Sequence, residues 1–579
     1  MAVFQYMRPL FVMSFCASAG LGAKGKGIIS VRFFGMNKKL LGKAEYLLSK
    51  EKGTVFKDPG GKINIVLVFP NTYSVGMSNL GFQGIYGLLN DMEDVVCERA
   101  FLPGPDEMEE YARTGDEIFA LESKRPLGRF DIVAFSVSFE NDYPNVIKML
   151  KLANIPARSL LRHSGHPVVI MGGVCAFYNP EPLADFFDVC VIGEAEGALP
   201  ELLSVFRTSG SKEALFRESA KIEGIYVPRF YEIAYSDNGG GIVSRKAFPP
   251  ASPGIRKRTV SDISISPMKP RITTPEAEFS DMYLLETMRG CVWSCRFCVA
   301  GHIYKPARRK DIGLLRGEIR EALVRTKKIG LIGPSLSDYP NAEEVLSIEG
   351  VDFSITSLRA SPRSGGLVAL MKGHKSVSIA PEAGTQRLRD VINKRISERD
   401  IFETAGLILE GGIETLRLYF MIGLPTEGME DIEGLIALVR EIRENTARGF
   451  ITLSVSTFVP KPFTPFQWHP MAALKDVKER LKYLKRGLSG LRGVRVFHDV
   501  PKYAYLQGLF SLGDRRLSCL AEDLASGKEF SLREGYCGID SDFFLFRRKS
   551  LDEILPWDFI DAGVPKESLW DEYREAVGI

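Results

Sequence analysis

Short apolar runs closed by glycine, proline or asparagine alternate with longer amphipathic stretches over most of the chain. In the amino-terminal part, residues 62–69 (KINIVLVF) run apolar between Gly60-Gly61 and Pro70-Asn71. That is how a strand buried on both faces of a parallel sheet reads. A helical pattern over 80–89 follows. The rhythm then repeats: a strand at 131–138, a helix at 143–153, a strand at 167–171 ending in Gly172-Gly173, and a strand at 187–192. The last of these leads into Gly193-Glu-Ala-Glu196 and a helix reaching 206. Strand–helix alternation of this kind predicts a doubly wound, Rossmann-like α/β domain over 36–207. Its ligands would lie beyond the carboxyl ends of the strands. From 281 to 498 six more strands are expected, at 282–286, 328–332, 351–358, 376–380, 414–422 and 450–459, with helices at 316–326, 386–393, 401–409 and 431–443. Between the two regions, 208–280 reads as a hairpin (230–235 and 242–246 around Ser236-Asp-Asn-Gly-Gly-Gly241) and a proline-rich linker. Residues 499–579 read as a small, mainly helical carboxyl-terminal domain.

Composition adds little to this picture. A chain of 579 residues with 45% hydrophobic and 25% charged residues holds several globular domains. The formal charge of +3 sets up no global field for membrane or nucleic acid, although a local basic groove leaves nucleic acid open. The runs Arg256-Lys-Arg258 and Lys305-Pro-Ala-Arg308-Arg-Lys310 read as solvated surface. No stretch approaches the roughly 18–20 apolar residues of a membrane span. The first 35 residues admit two readings. Arg8, the apolar run 10–16 and Ala17-Ser-Ala19 have the form of a secretory signal. Against that, 20–35 is Gly-rich without a packing pattern, and an amphipathic run begins only after Met36, so Met36 is expected to start the functional protein and 1–35 to be a non-native extension.

The chemistry gathers in one loop. Directly after the 282–286 strand comes Cys291-Val-Trp-Ser-Cys295-Arg-Phe-Cys298. Thiolates are soft ligands, and three on a short loop can converge on one iron–sulfur cluster, leaving one iron free. Buried apolar cysteines and a zinc knuckle are the alternatives. Zinc sites usually bring a second pair or nearby histidines, and here only His302 is close. Three cysteines within eight residues of a nine-cysteine chain point to metal in a reducing, cytoplasmic compartment rather than to a disulfide framework.

This loop, C-x3-C-x-aromatic-C, resembles the signature of the radical S-adenosylmethionine (SAM) superfamily. The resemblance implies that Cys291, Cys295 and Cys298 bind a 4Fe–4S cluster, that the free iron chelates SAM, and that Phe297 packs near its adenine. It also implies that the six strand–helix units form a partial (β/α)6 TIM-type barrel with its chemistry at the strands' carboxyl ends. Further SAM contacts follow from strand ends that match the family's: Ser335 or Asp338 after the second strand, Ser357 and Arg359 after the third (Thr356-Ser-Leu-Arg359), Glu382 after the fourth, Gly423 after the fifth and Val459 after the sixth. The family pattern after the second strand, Gly-Gly-Glu, is replaced here by Gly333-Pro-Ser335-Leu-Ser-Asp338.

The amino-terminal half, in 171–185 and Gly193-Glu-Ala-Glu196, resembles the cobalamin-binding domain that precedes many such cores. The turn that often carries a cobalt-ligating histidine, here Asn71-Thr-Tyr-Ser-Val-Gly76, has none. Cobalamin and a degenerate Rossmann-like domain that only shapes a substrate cleft therefore both stay open. Cys97 and Cys190 read as core, Cys175 as the one cysteine of the domain facing a ligand, and Cys519 and Cys537 as structural. The expected function is reductive cleavage of SAM to a 5′-deoxyadenosyl radical for hydrogen abstraction, with an electron from flavodoxin or ferredoxin and an unknown substrate. Cobalamin-assisted methyl transfer is one outcome. A methylthiotransferase-like enzyme and a non-catalytic iron–sulfur carrier or scaffold are the alternatives.

Overall fold

The computed structural model describes residues 37–237, 239–265, 268–355, 357–361, 363–371, 374–446, 448–532 and 540–579. The expected start at Met36, the segment before it, Thr356 and Cys537 lie outside the described residues.

The amino-terminal sheet comprises β1 (Ile63–Phe69), β2 (Val95–Phe101), β3 (Ile132–Ser136), β4 (Val168–Gly172), β5 (Val189–Val191) and β6 (Ile225–Tyr226), in the order β2-β1-β3-β4-β5-β6. The first five are parallel and β6 is antiparallel. The 2-1-3-4-5 order places the topological switch point, and with it the ligand crevice, between β1 and β3. The apolar pattern missed β2 because Glu98-Arg99 interrupts its run. In the structure Arg99 is buried and answers Glu51 and Glu122, each at 2.7 Å, so a charged pair lies inside the domain. With β6 in the sheet, the domain extends past residue 207, and the first part of 208–280 belongs to it. The hairpin forms as expected, Tyr231–Tyr235 against Ile242–Ala247. The rest of the linker is a pinned strap: Arg258 pairs with Gly193, Thr273 with Lys52, and Ile255–Arg256 with Ile560–Asp561.

Seven parallel strands form the second unit: Tyr283–Glu286, Lys328–Ile332, Asp352–Ile355, Ser376–Glu382, Thr415–Ile422, Phe450–Thr457 and Val494–His498. The first three and the last four are continuous ladders, joined where the Leu358 N–H donates to Ser378 O at 2.9 Å. The seventh strand is an addition to the expected six. Its five residues include an arginine and a histidine and lie at an edge, so no apolar run marks them. Alternate residues of the strands, such as Leu285, Leu331, Ile379, Leu418 and Leu453, pack outward against the surrounding helices in one core.

The carboxyl-terminal helices share a single apolar core with the amino-terminal domain. Helix Pro501–Leu512 packs on the 140–142 turn, and helix Ser518–Ala525, which carries Cys519, packs on helix Tyr143–Leu152. Asn179 reaches the carbonyls of Ser511 and Gly513, and Arg515 meets buried Glu181 and Tyr226. Lys549 is buried without a carboxylate hydrogen-bond partner among the described residues, its Nζ donating to Phe544 O at 2.9 Å. Burial lowers its pKa to about 8. Between pH 8 and its unfolded value near 10.5 the unfolded chain binds more protons, so this lysine costs stability below pH 8 and ceases to above 10. Lys549→Met is therefore expected to stabilise the protein more at pH 7.5 than at pH 10. Urea unfolding at the two values checks it, and an equal effect at both would refute the assignment.

Candidate active site

The cysteine loop begins where the first barrel strand ends. Two glycines frame it. Gly290 has φ +81°, and a Cβ there would meet Tyr304 O at 2.2 Å; a Cβ on Gly301 would meet Trp293 O at 2.7 Å. Any side chain at either position would push the loop off the barrel. Cys295 is buried, while Cys291 and Cys298 are partly exposed, and all three are free thiols. Burial raises the Cys291 thiol to about 11 and also raises Cys295, where Lys394 and Arg359 pull the other way. These two cations are placed to offset thiolate charge when metal displaces the thiol protons.

Neighbouring strand ends hold the loop. Trp293 Nε1 donates to Asp338 at 2.7 Å, and the Arg359 guanidinium lies 3.8 Å from the Trp293 ring centroid. Asn393 donates to Ser294 O, and the Arg296 N–H to Ile392 O, both at 3.0 Å. Arg359 continues to the carbonyls of Lys394 and Arg395. Lys394 pairs with Glu382 at 3.0 Å and lies 5.9 Å from the Phe297 ring centroid. From outside, the last helix, Lys566–Val577, places Glu572 and Glu575 on Arg296, and its Trp570 and Tyr573 pack on Trp468. The carboxyl-terminal segment thus covers the Arg296 side of the loop, while Cys291 and Cys298 stay partly exposed. His302 accepts no metal role. Its Nε2 is bonded to Cys295 O at 3.3 Å, and burial lowers its pKa to about 4.

The structure brings together Cys291, Cys295, Cys298, Phe297, Asp338, Arg359 and Glu382 in this way. Glu382 has φ +70°, and the next two strand ends carry Thr426 at +64° and Phe463 at +58°. Left-handed backbone at a non-glycine residue costs about 1–3 kcal/mol and collects at functional sites. Ser335 is buried, and its Oγ is without a hydrogen-bond partner among the described residues. Ser357 and Val459 are partly buried at the same strand ends. Gly423 has φ +88°, its N–H donates to Glu427, and the direction of its missing Cβ is bounded by Ala472 and Val477. A strand-to-helix turn accounts for that glycine.

The residues present fit a 4Fe–4S cluster with an open iron. Among the described residues three thiols and no fourth are available at the loop, since Cys97, Cys175 and Cys190 are fully buried in the amino-terminal core and Cys519 is disulfide-bonded. Among the described residues no three His, Cys, Asp or Glu side chains converge as ligands of one metal ion would. The orphaned Ser335 hydroxyl, beside the loop at the second strand's end, fits a polar SAM group.

The amino-terminal crevice faces this mouth. Glu194, at the end of β5, takes both Arg308 nitrogens at 2.7 and 2.8 Å and Arg289 at 3.3 Å. Arg289 also holds Glu196 at 2.7 Å and Glu286 at 2.8 Å. The run 305–310 is therefore not solvated surface: Arg308 is buried, and so is Lys310 on Glu318. A local sequence window does not reveal partners more than a hundred positions away. Cys175 is a second correction. It is fully buried, 3.4 Å from Tyr178 OH, and burial pushes its thiol up, so it faces no ligand. The domain's two histidines, His163 and His166, precede β4, at the amino-terminal ends of the strands and so opposite the crevice. The apolar cavity between Ser136, Gly172 and Ala195 measures about 70 Å³. Among the described residues no cysteine or histidine lines this cavity. No helix among the described residues is long and apolar enough to cross a membrane.

Comparison with known proteins agrees with the mouth. The sequence profile of the Radical SAM superfamily matches residues 285–439, and that of radical SAM proteins' N-terminal region matches 81–228. An uncharacterized protein of Methanocaldococcus jannaschii is 31% identical over 460 residues, covering 79% of this chain and 90% of that protein. The ribosomal protein uS12 methylthiotransferase RimO of Pelobacter propionicus is 26% identical over 38% of this chain and 50% of its own length. The radical SAM methyltransferase TsrM of Kitasatospora setae, solved with cobalamin and a 4Fe–4S cluster, covers 68% of this chain and 75% of its own at 15% identity and a TM-score of 0.44. With three thiols on a loop at the end of the first barrel strand and a relative matched over nearly its full length, this chain belongs to the radical SAM superfamily.

Proposed function

We propose that the protein is a radical SAM enzyme that abstracts hydrogen from a substrate held between the barrel mouth, the amino-terminal crevice and the carboxyl-terminal helices. The observation that carries this reading is the loop of three free thiols with Lys394, Arg359, Glu382 and the orphaned Ser335 hydroxyl around it. When bound, the cluster and SAM supply a one-electron cleavage of SAM to methionine and a 5′-deoxyadenosyl radical. The chain's own residues hold and shield. Trp293, Arg296 and Asn393 fix the loop, the Lys394–Glu382 pair places a cation and a carboxylate at the mouth, and helix Lys566–Val577 braces Arg296 from outside. A flavodoxin or ferredoxin in a reducing cytoplasm is the electron donor in this reading.

The test is anaerobic reconstitution with SAM and dithionite, followed by product analysis. Formation of 5′-deoxyadenosine is expected, and a loaded cluster that leaves SAM intact would favour an electron carrier instead. A methylthiotransferase with a second cluster is disfavoured by the buried cysteines. Cys97 on β2 and Cys190 on β5 lie at opposite sides of the sheet. Cobalamin-assisted methyl transfer is a separate outcome, read by incubating with hydroxocobalamin, desalting and looking for corrinoid absorbance.

Ser335→Ala carries a paired expectation. Removing a buried hydroxyl that lacks a partner should stabilise the SAM-free protein by roughly 1 kcal/mol, and losing its bond to SAM should weaken SAM binding by a similar energy, about fivefold. Thermal unfolding and equilibrium binding read the two effects, and a variant that is less stable and binds SAM normally would remove Ser335 from the site.

A further inference from the structure

The inner face of the barrel is unlike a filled one. Packed barrels fill their interior with bulky branched side chains. Here the residues alternating with the outward-packed core are Ser354, Ser378, Thr452, Ser454 and Ser456, with Arg417 and Tyr419 between them. Strand register sorts them into layers. Met421 pairs with Ser456 nearest the mouth, Tyr419 with Ser454 and Phe497 below it, and Arg417 with Thr452 and Arg495 below that. Leu416, Leu418, Val494 and Val496 pack against the outer helices, so the intervening residues face the lumen. Arg417, Arg495 and Phe497 are exposed, and neither arginine has a carboxylate partner among the described residues. On the other side of the barrel, Leu80 of the amino-terminal domain packs on Leu284 and Ile332 and closes the interior along the first two strands. The polar residues of the inner face run along strands three to seven, with Ser378 and Ser454 buried among them.

We propose that this lumen binds the substrate as an extended organic anion, with its phosphate or carboxylate between Arg417 and Arg495 and its body against Tyr419 and Phe497. Two unpaired guanidiniums in one layer match either anion by forked hydrogen bonds. Phe497 and Tyr419, one layer up, offer rings to an unsaturated or aromatic body. Each layer is about 7 Å deep, so the anion is held roughly 13 Å below the Met421 layer. A SAM molecule at the mouth stays clear of that depth, and a substrate of nucleotide length or similar brings its far end up to it. The placement rests on the radical SAM reading of the mouth, whereas binding of the anion does not require SAM cleavage.

The test uses the reconstituted full-length protein and equilibrium binding of three probes: uridine 5′-monophosphate, 3-phenylpropionate and neutral uridine. At least one anionic probe should bind saturably, uridine should bind at least tenfold more weakly, and which anion binds tells a phosphate substrate from a carboxylate one. Arg417→Ala and Arg495→Ala should each weaken the anion at least tenfold, and Arg417→Lys less. Anion binding that is absent, or unchanged in both alanine variants, overturns the proposal whatever the SAM assay gives. Wild-type protein that binds the anion but leaves SAM intact would count against the mouth and not against the lumen.

Discussion

Replacing Cys291, Cys295 or Cys298 by alanine is expected to strip the protein of most of its iron. A cubane in this loop takes one thiolate per iron on three corners, and no other described cysteine is free to substitute: Cys519 is disulfide-bonded and the rest are deeply buried. Cys97, Cys175 and Cys190 lie inside the amino-terminal core. Iron and sulfide should fall from about four each per chain to below about one in each single variant, and to none in the triple variant. Formation of 5′-deoxyadenosine should vanish with them. The fold should survive, because Cys291 and Cys298 are partly exposed and the loop is held by Trp293, Arg296 and Asn393 rather than by sulfur. Iron and sulfide assays with circular dichroism check the result. A triple variant retaining four irons would place the cluster elsewhere.

Arg308→Met is expected to loosen the amino-terminal domain from the barrel. Burial works against the charge of Glu194, and Arg308 and Arg289 more than offset it, so its carboxyl is held below its usual range. Without Arg308, Glu194 keeps only Arg289 at 3.3 Å, an arginine already shared with Glu196 and Glu286. Breaking a buried pair from one side costs about 3–5 kcal/mol, because a charge is left in a poorly solvated place. The loss should appear as a lower unfolding midpoint and faster proteolysis in the 229–280 strap, with cluster content retained. Arg308→Lys, which keeps the charge but loses the fork, should fall between. Stability within about 0.5 kcal/mol of wild type would show the contact to be idle.

Local signals sufficed for much of this molecule. The 62–69 and 414–422 runs are apolar enough to be strands in almost any setting, and the observed strands differ from them by one residue or less. The cysteine spacing needs no tertiary information, since three ligands within eight residues meet through loop geometry alone. Strands carrying charge were harder to see. β2 contains Glu98-Arg99 and the seventh barrel strand contains Arg495, so neither has the apolar run that marks its neighbours. Their stability comes from register with adjacent strands, and for β2 also from partners at 51 and 122.

The sequence by itself determined the alternation of strands and helices, the cluster loop and the ends of most barrel strands, because each depends on residues close in the chain. Only the tertiary structure decided which charges are structural and which face open space. Arg308 reads like Arg417 in a sequence window, yet one is buried on Glu194 and the other is exposed, without a carboxylate partner among the described residues. It also decided that Cys175 is core and that the last helix braces the cluster loop at Arg296. The physical reason is common to all of these. Burial and charge pairing are set by residues tens to hundreds of positions away, and a side chain's chemistry depends on that environment as much as on its identity.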